Sequence, residues 1–105
     1  MAVITQGDIW LGALPHEKPR PYLVLTRQRA IDGLAAIVVA PVTTTRRGLP
    51  SEVGLGPADG LRRECVANFD NLGTLRKSYL THHMGHVAPG RWHEVCAALR
   101  AAIDC

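Results

Sequence analysis

Ala35-Ala36-Ile37-Val38-Val39-Ala40-Pro41-Val42-Thr43 is a valine-rich apolar run that leads into the polar segment Thr44-Thr45-Arg46-Arg47-Gly48. Asp32-Gly33 marks a turn before it and Gly48-Leu49-Pro50 breaks the chain after it, so it reads as a buried β-strand. The apolar stretch from Leu34 to Val42 is far too short to cross a bilayer. Upstream, Gly7 to Ala13 and Pro21 to Arg27 read as two further strands, joined by the turn-rich Leu14-Pro15-His16-Glu17-Lys18-Pro19. Downstream, Ser51 to Leu55, Glu64 to Asn68, Leu72 to Leu75 and Thr81 to Val87 are short strand candidates, with Gly56 to Gly60 as a loop. From Pro89 the period changes. Trp92, Val95, Cys96, Leu99 and Ile103 follow helical spacing, and Pro89 suits a first helical position. Several short strands and one terminal helix predict a mainly β fold with α, a small, strongly bent antiparallel sheet or open barrel under a helix.

The 105 residues amount to one domain, 1–105, with 47% hydrophobic and 20% charged residues, an ordinary balance for a folded soluble chain. No basic segment followed by an apolar stretch opens the sequence, so a cytoplasmic protein without a membrane anchor is expected. Cys65, Cys96 and Cys105 form no C-x-x-C pair, which fits reduced thiols. Cys65 and Cys96 fall on apolar positions and read as core; Cys105 ends the chain. The net charge of +3 is carried largely by arginine pairs, Arg27 with Arg29, Arg46 with Arg47 and Arg62 with Arg63. These sit near the ends of apolar segments, where they could ring a polyanion-binding surface.

Four segments could carry chemistry. In Lys18-Pro19-Arg20-Pro21-Tyr22 two prolines restrict the backbone around one arginine, and its guanidinium fork suits phosphate oxygens. In Pro41-Val42-Thr43-Thr44-Thr45-Arg46-Arg47 a strand ends in hydroxyls that can donate to an oxyanion and cations that can hold a phosphate. Asp70 and Asn71 follow the apolar Val66-Ala67-Asn68-Phe69, where they cap a turn or meet a base edge. Three histidines crowd Thr81-His82-His83-Met84-Gly85-His86. Strict strand alternation places His82 and His83 on opposite faces and His82 with His86 on one. Zinc would need further ligands, so strand histidines exposed to solvent or stacked on RNA are the better reading.

Taken in order, Gly7-Asp8-Ile9-Trp10, Pro19-Arg20-Pro21 before an apolar strand, Pro41-Val42-Thr43-Thr44, Asp70-Asn71, Gly85-His86-Val87 and the terminal helix form a series that resembles the MazF/PemK/Kid toxins. These are the endoribonuclease halves of bacterial type II toxin–antitoxin pairs, and the resemblance spans nearly the whole chain. It implies an SH3-like, CcdB/PemK-type small antiparallel β-barrel with a C-terminal helix, working as a homodimer on single-stranded RNA without a cofactor or metal. It places the family's catalytic arginine on Arg20 and its catalytic threonine on Thr43. It also implies RNA contacts at His16, Glu17, Thr44, Arg46, Arg47, Asp70 and Asn71, and a MazE-like antitoxin as partner. The chain departs from the family in its short first loop, Leu14 to Lys18. It departs again at Asn68, where the Kid branch carries an arginine.

The implied reaction is attack of the ribose 2′-OH on the adjacent phosphorus, leaving a 2′,3′-cyclic phosphate and a 5′-OH. Arg20 serves the phosphorane charge; with a pKa above about 12 it is a poor acid or base. His16, Glu17 and Asp70 are the candidates for the base. Three other readings stand beside this one: a non-catalytic, CcdB-like inhibitor of DNA gyrase, an RNA-binding-only relative, and cleavage by His83 and His86 as an acid–base pair.

Overall fold

A computed structural model describes residues 3–104. Seven strands appear: β1 Asp8–Gly12, β2 Arg20–Val24, β3 Ala36–Thr43, β4 Glu52–Leu55, β5 Cys65–Asn68, β6 Gly73–Arg76 and β7 Leu80–His86. A single-turn helix α1, Gln28–Ile31, follows β2, and α2, Trp92–Ile103, ends the described chain. The strands form one antiparallel sheet ordered β4-β5-β3-β2-β1-β7, with β6 also on β3. The expected bent, open antiparallel sheet with its terminal helix is the architecture found.

The β3 run is apolar throughout because the sheet is covered on both faces. Ile9, Leu23, Ala40 and Val42 point into one cluster, completed by Phe69 and by Val95 and Ala98 of α2. Their strand neighbours Trp10, Tyr22, Val24 and Val39 point into a second cluster with Ile31, Ile37 and Leu75. Burying a valine or leucine side chain in this way contributes about 1.5–3 kcal/mol. Of the predicted helix face, Val95 is buried and Trp92, Cys96 and Leu99 pack on the core. Ile103 does not: it is 53% exposed in the last turn, and Ala98 and Ala102 make the close contact instead.

The predicted second strand ran to Arg27, but β2 stops at Val24. Thr26 ends the ladder by accepting a hydrogen bond from Val38 N through its hydroxyl at 2.7 Å. The α1 turn then carries Ile31 into the second cluster. A four-residue helix is too short to show a hydrophobic period. Cys65 is buried and Cys96 half-buried, both as free thiols; Cys105 lies outside the described residues. Among the described residues no helix is long and apolar enough to cross a membrane.

The feature that shapes the site lies along one edge of β3. β5 and β6 both pair with that strand, Val42 with Ala67 and Thr43 with Val66, then Val39 with Gly73 and Ile37 with Leu75. Between them the register slips by the three residues of a 3₁₀ turn, Phe69–Asn71. This turn stands opposite Ala40 and Pro41. Proline has no N–H for a ladder and is tolerated inside sheets where pairing is interrupted. Phe69, 1% exposed, anchors the turn in the core, whereas Asp70 and Asn71 are exposed.

Candidate functional site

β2 and β3 meet in a register that pairs Tyr22 with Pro41 and Leu23 with Ala40. Carried two residues further, it sets Arg20 across from Thr43, on the sheet face that also carries Tyr22, Val39 and Pro41. Both residues line a cavity of about 150 Å³ together with Pro41, Thr45, Arg47, Asn68 and Asn71. The lining holds two guanidinium groups, two threonines and two amides, and no carboxylate. Among the described residues neither arginine forms an ion pair. That composition suits a phosphate group: a fixed fork donor, a second cation and neutral donors around a small hollow.

Local hydrogen bonds hold each wall. Thr43 Oγ1 accepts from Thr45 N at 3.2 Å, which orients the hydroxyl and leaves its own proton free to donate. The carboxylate of Glu52 accepts from Arg47 N at 3.1 Å and from Leu49 N at 3.2 Å, pinning the β3–β4 loop that carries Arg47. Asn68 caps the 3₁₀ turn, its Oδ1 accepting from Asp70 N at 3.0 Å. Its amide end is thereby left for the cavity it lines. Ser51 Oγ donates to Asp70 Oδ2 at 2.6 Å, tying the outer side of the turn to the start of β4. The capping expected of Asp70 and Asn71 thus belongs to Asn68, with Asp70 as the residue capped.

The predicted site residues divide. Arg20, Thr43, Arg47 and Asn71 come together in the cavity, and Asp70 stands behind it on Ser51. Thr44 is exposed beside the cavity, and Arg46 turns to Glu64 at 3.3 Å. His16 and Glu17 are exposed on the β1–β2 turn, where His16 has φ 66°. Glu17 nevertheless acts on the same locality. The buried Tyr22 hydroxyl has its pKa raised by desolvation first, with the Arg20 charge opposing and the Glu17 charge reinforcing. Sequence reasoning missed Thr45, Asn68 and Tyr22 as lining residues. For the first two a signal existed: each pair Thr43–Thr45 and Asn68–Asp70 has the two-residue spacing of a side-chain turn.

The histidine segment is arranged differently from strict alternation. β7 pairs Asp8 with His86, Ile9 with Gly85 and Trp10 with His83, so Met84 is bulged out. The bulge puts His83 and His86, rather than His82 and His86, on one group: both imidazoles meet Asp8 Oδ1, His83 Nε2 at 3.3 Å and His86 Nδ1 at 2.9 Å. The cause is a close backbone approach, since a Cβ on Gly85 would overlap the Asp59 carbonyl and one on Gly60 the Met84 carbonyl. Burial alone would raise the Asp8 carboxyl pKa. Hydrogen bonds from His86, Thr5 N and Trp10 Nε1, with the charge of His83, bring it below its ordinary value. This cluster sits on β1 and β7, at the opposite end of the sheet order from β5. No histidine lines the Arg20–Thr43 cavity.

A half-barrel sheet with a helix on one face, and a carboxylate-free cationic cleft at the β2–β3 end, defines a small protein built to grip a polyanion. The chain belongs to the PemK-like, MazF-like toxin family of type II toxin–antitoxin systems, whose model matches residues 5–103. It is 41% identical over 101 residues to the probable endoribonuclease MazF2 of Mycobacterium tuberculosis, covering 95% of this chain and 98% of that one. Its fold is similar to that of the M. tuberculosis toxin MazF-mt6, with a TM-score of 0.86 at 33% identity over 92% and 96% of the two chains. It is also similar to an endoribonuclease solved in complex with its cognate antitoxin from a mycobacterial species, with a TM-score of 0.84 at 29% identity over 97% and 96%.

Proposed function

We infer that this toxin-family chain is an endoribonuclease that cuts single-stranded RNA in the cytoplasm, with Arg20 and Thr43 at the scissile phosphate. The observation that carries this reading is the pairing of those two residues across β2 and β3 in one cavity without a carboxylate. In the reaction the 2′-oxygen forms a bond to phosphorus and the bond to the 5′-oxygen breaks. The 2′-OH loses its proton to a base and the departing 5′-oxygen gains one. Charge builds on the non-bridging oxygens, where the Arg20 fork and the Thr43 hydroxyl donate. Arg47, Asn68 and Asn71 hold the flanking phosphate and ribose. The charge is met by side chains, so this scheme needs no metal.

The working unit is a homodimer, and its regulator is a cognate antitoxin whose acidic, disordered segment covers the cationic cleft. The mycobacterial relative solved with its antitoxin supports that partner. The test is incubation of purified protein with total RNA in EDTA, followed by mapping of the new ends. Cyclic phosphate and 5′-OH ends that vanish in Arg20→Ala are expected. Intact RNA, or unchanged cleavage by Arg20→Ala, overturns the reading.

A further inference from the structure

A second hollow opens beside the phosphate cavity and shares Arg20, Pro41 and Asn71 with it. Its volume is about 310 Å³, at the small end of ligand cavities, roughly 300–1,000 Å³. Leu14, Val39 and Leu75 give it apolar walls, and Tyr22 and Asn71 bring polar groups to it. Apolar walls with a few hydrogen-bonding groups match a nucleobase, which has two apolar faces and a polar edge. Because Asn71 and Arg20 border both hollows, a nucleotide whose phosphate fills the first has its base at the mouth of the second.

The floor of this hollow is kept open by one residue. Gly73 starts β6 opposite Val39, so its Cβ position lies on the face of Tyr22, Val39 and Leu75. A Cβ built there meets nothing within 4 Å, although Gly73 lines the hollow. Its backbone has no left-handed φ, so conformation does not require glycine. Glycine in a strand weakens it and marks a place where another group approaches closely. We propose that the hollow bounded by Leu14, Tyr22, Val39, Gly73 and Leu75 seats one nucleobase of the bound RNA, next to the scissile phosphate, and that Gly73 keeps it vacant for that base. This rests on the reading that the chain binds RNA at Arg20 and Thr43.

The test compares binding of a single-stranded oligoribonucleotide with an abasic ribose-phosphate oligomer of equal length, 2′-O-methylated to block cleavage. Wild type is expected to prefer the base-bearing strand about tenfold, the order of one well-seated base. Gly73→Leu fills the hollow and should bind both strands at the abasic level, with abasic binding unchanged. Gly73→Ala, one methyl larger, should fall between and covers the case in which the leucine variant does not fold. Arg20→Ala should weaken both strands alike. The proposal is overturned if both Gly73 variants bind RNA as wild type does, or if they lose both strands equally. It is also overturned if they keep RNA but lose the antitoxin, which would give the hollow to that protein instead. Binding is read without cleavage, so failure here is distinct from finding RNA intact in EDTA.

Discussion

Arg20 faces Thr43 across the β2–β3 ladder, and the sheet itself fixes the pair. Arg20 is the first residue of β2 and Thr43 the last of β3, so both side chains stand where the sheet ends and the cavity begins. The prolines on either side of Arg20 limit its backbone on the approach.

Replacing Arg20 by alanine is expected to lower RNA cleavage by about 10²- to 10³-fold, the cost of removing one preorganised donor from an oxyanion site. Arg20→Lys should recover only part of this, since a point charge lacks the fork. Thr43→Ser should stay near wild type and Thr43→Val should lose most activity. Because Arg20 is exposed, the melting temperature of Arg20→Ala should match the wild type, and single-turnover cleavage assays with thermal melts separate the two effects.

Asn68→Ala removes the acceptor that caps the Phe69–Asn71 turn. A stability loss of about 1 kcal/mol is expected, the usual cost of losing such a cap, together with weaker RNA binding as Asn71 loses its position. Asn68→Asp should restore the cap and the stability, but not RNA binding, because it brings a carboxylate into the cavity. Urea denaturation and RNA binding on both variants check this pattern.

Gly85→Ala is expected to destabilise the fold by about 3 kcal/mol or more, because the new methyl meets Asp59 backbone rather than a movable side chain. Gly54→Ala, where a Cβ meets nothing within 4 Å, should be neutral or mildly stabilising. Denaturant midpoints of the two variants should therefore move in opposite directions or differ by most of the predicted loss.

The Asp8 carboxyl has a lowered pKa in the folded protein, so its charged form favours folding. That stabilisation is complete above the unfolded carboxyl value of about 3.9 and is lost as pH falls through the lower folded value. Asp8→Asn should be less stable than wild type at pH 7, and the gap should narrow below about pH 4. Denaturation series at several pH values measure this directly; a gap independent of pH would assign Asp8 a purely packing role.

The strands and terminal helix were legible because their signals are periodic and local: valine-rich runs between turn residues, then a switch to helical spacing at Pro89. Arg20 and Thr43 were legible as an ordered set, through motifs that also fall at strand ends. What stayed hidden depended on contacts distant in sequence. The Met84 bulge arises where Gly85 passes the Asp59 backbone, and strict alternation within β7 carries no trace of that. Tyr22 looked like an ordinary strand aromatic; its place beside the site follows from β6, which pairs from the far side of β3. Ile103 kept helical phase but lies beyond the end of the sheet it was expected to cover.

The Phe69–Asn71 turn also fixes how this cleft could be remodelled. Its three residues are an odd number, so β5 and β6 meet the same face of β3 with opposite sequence parity. Gaining or losing one residue there would rotate β6 by one position, turning Leu75 outward and Arg76 into the core. Length changes in this segment are therefore confined to even steps. The cleft floor is free to vary by exchange of side chains at positions 68, 70 and 71, while the sheet forbids the single insertions that most surface loops accept.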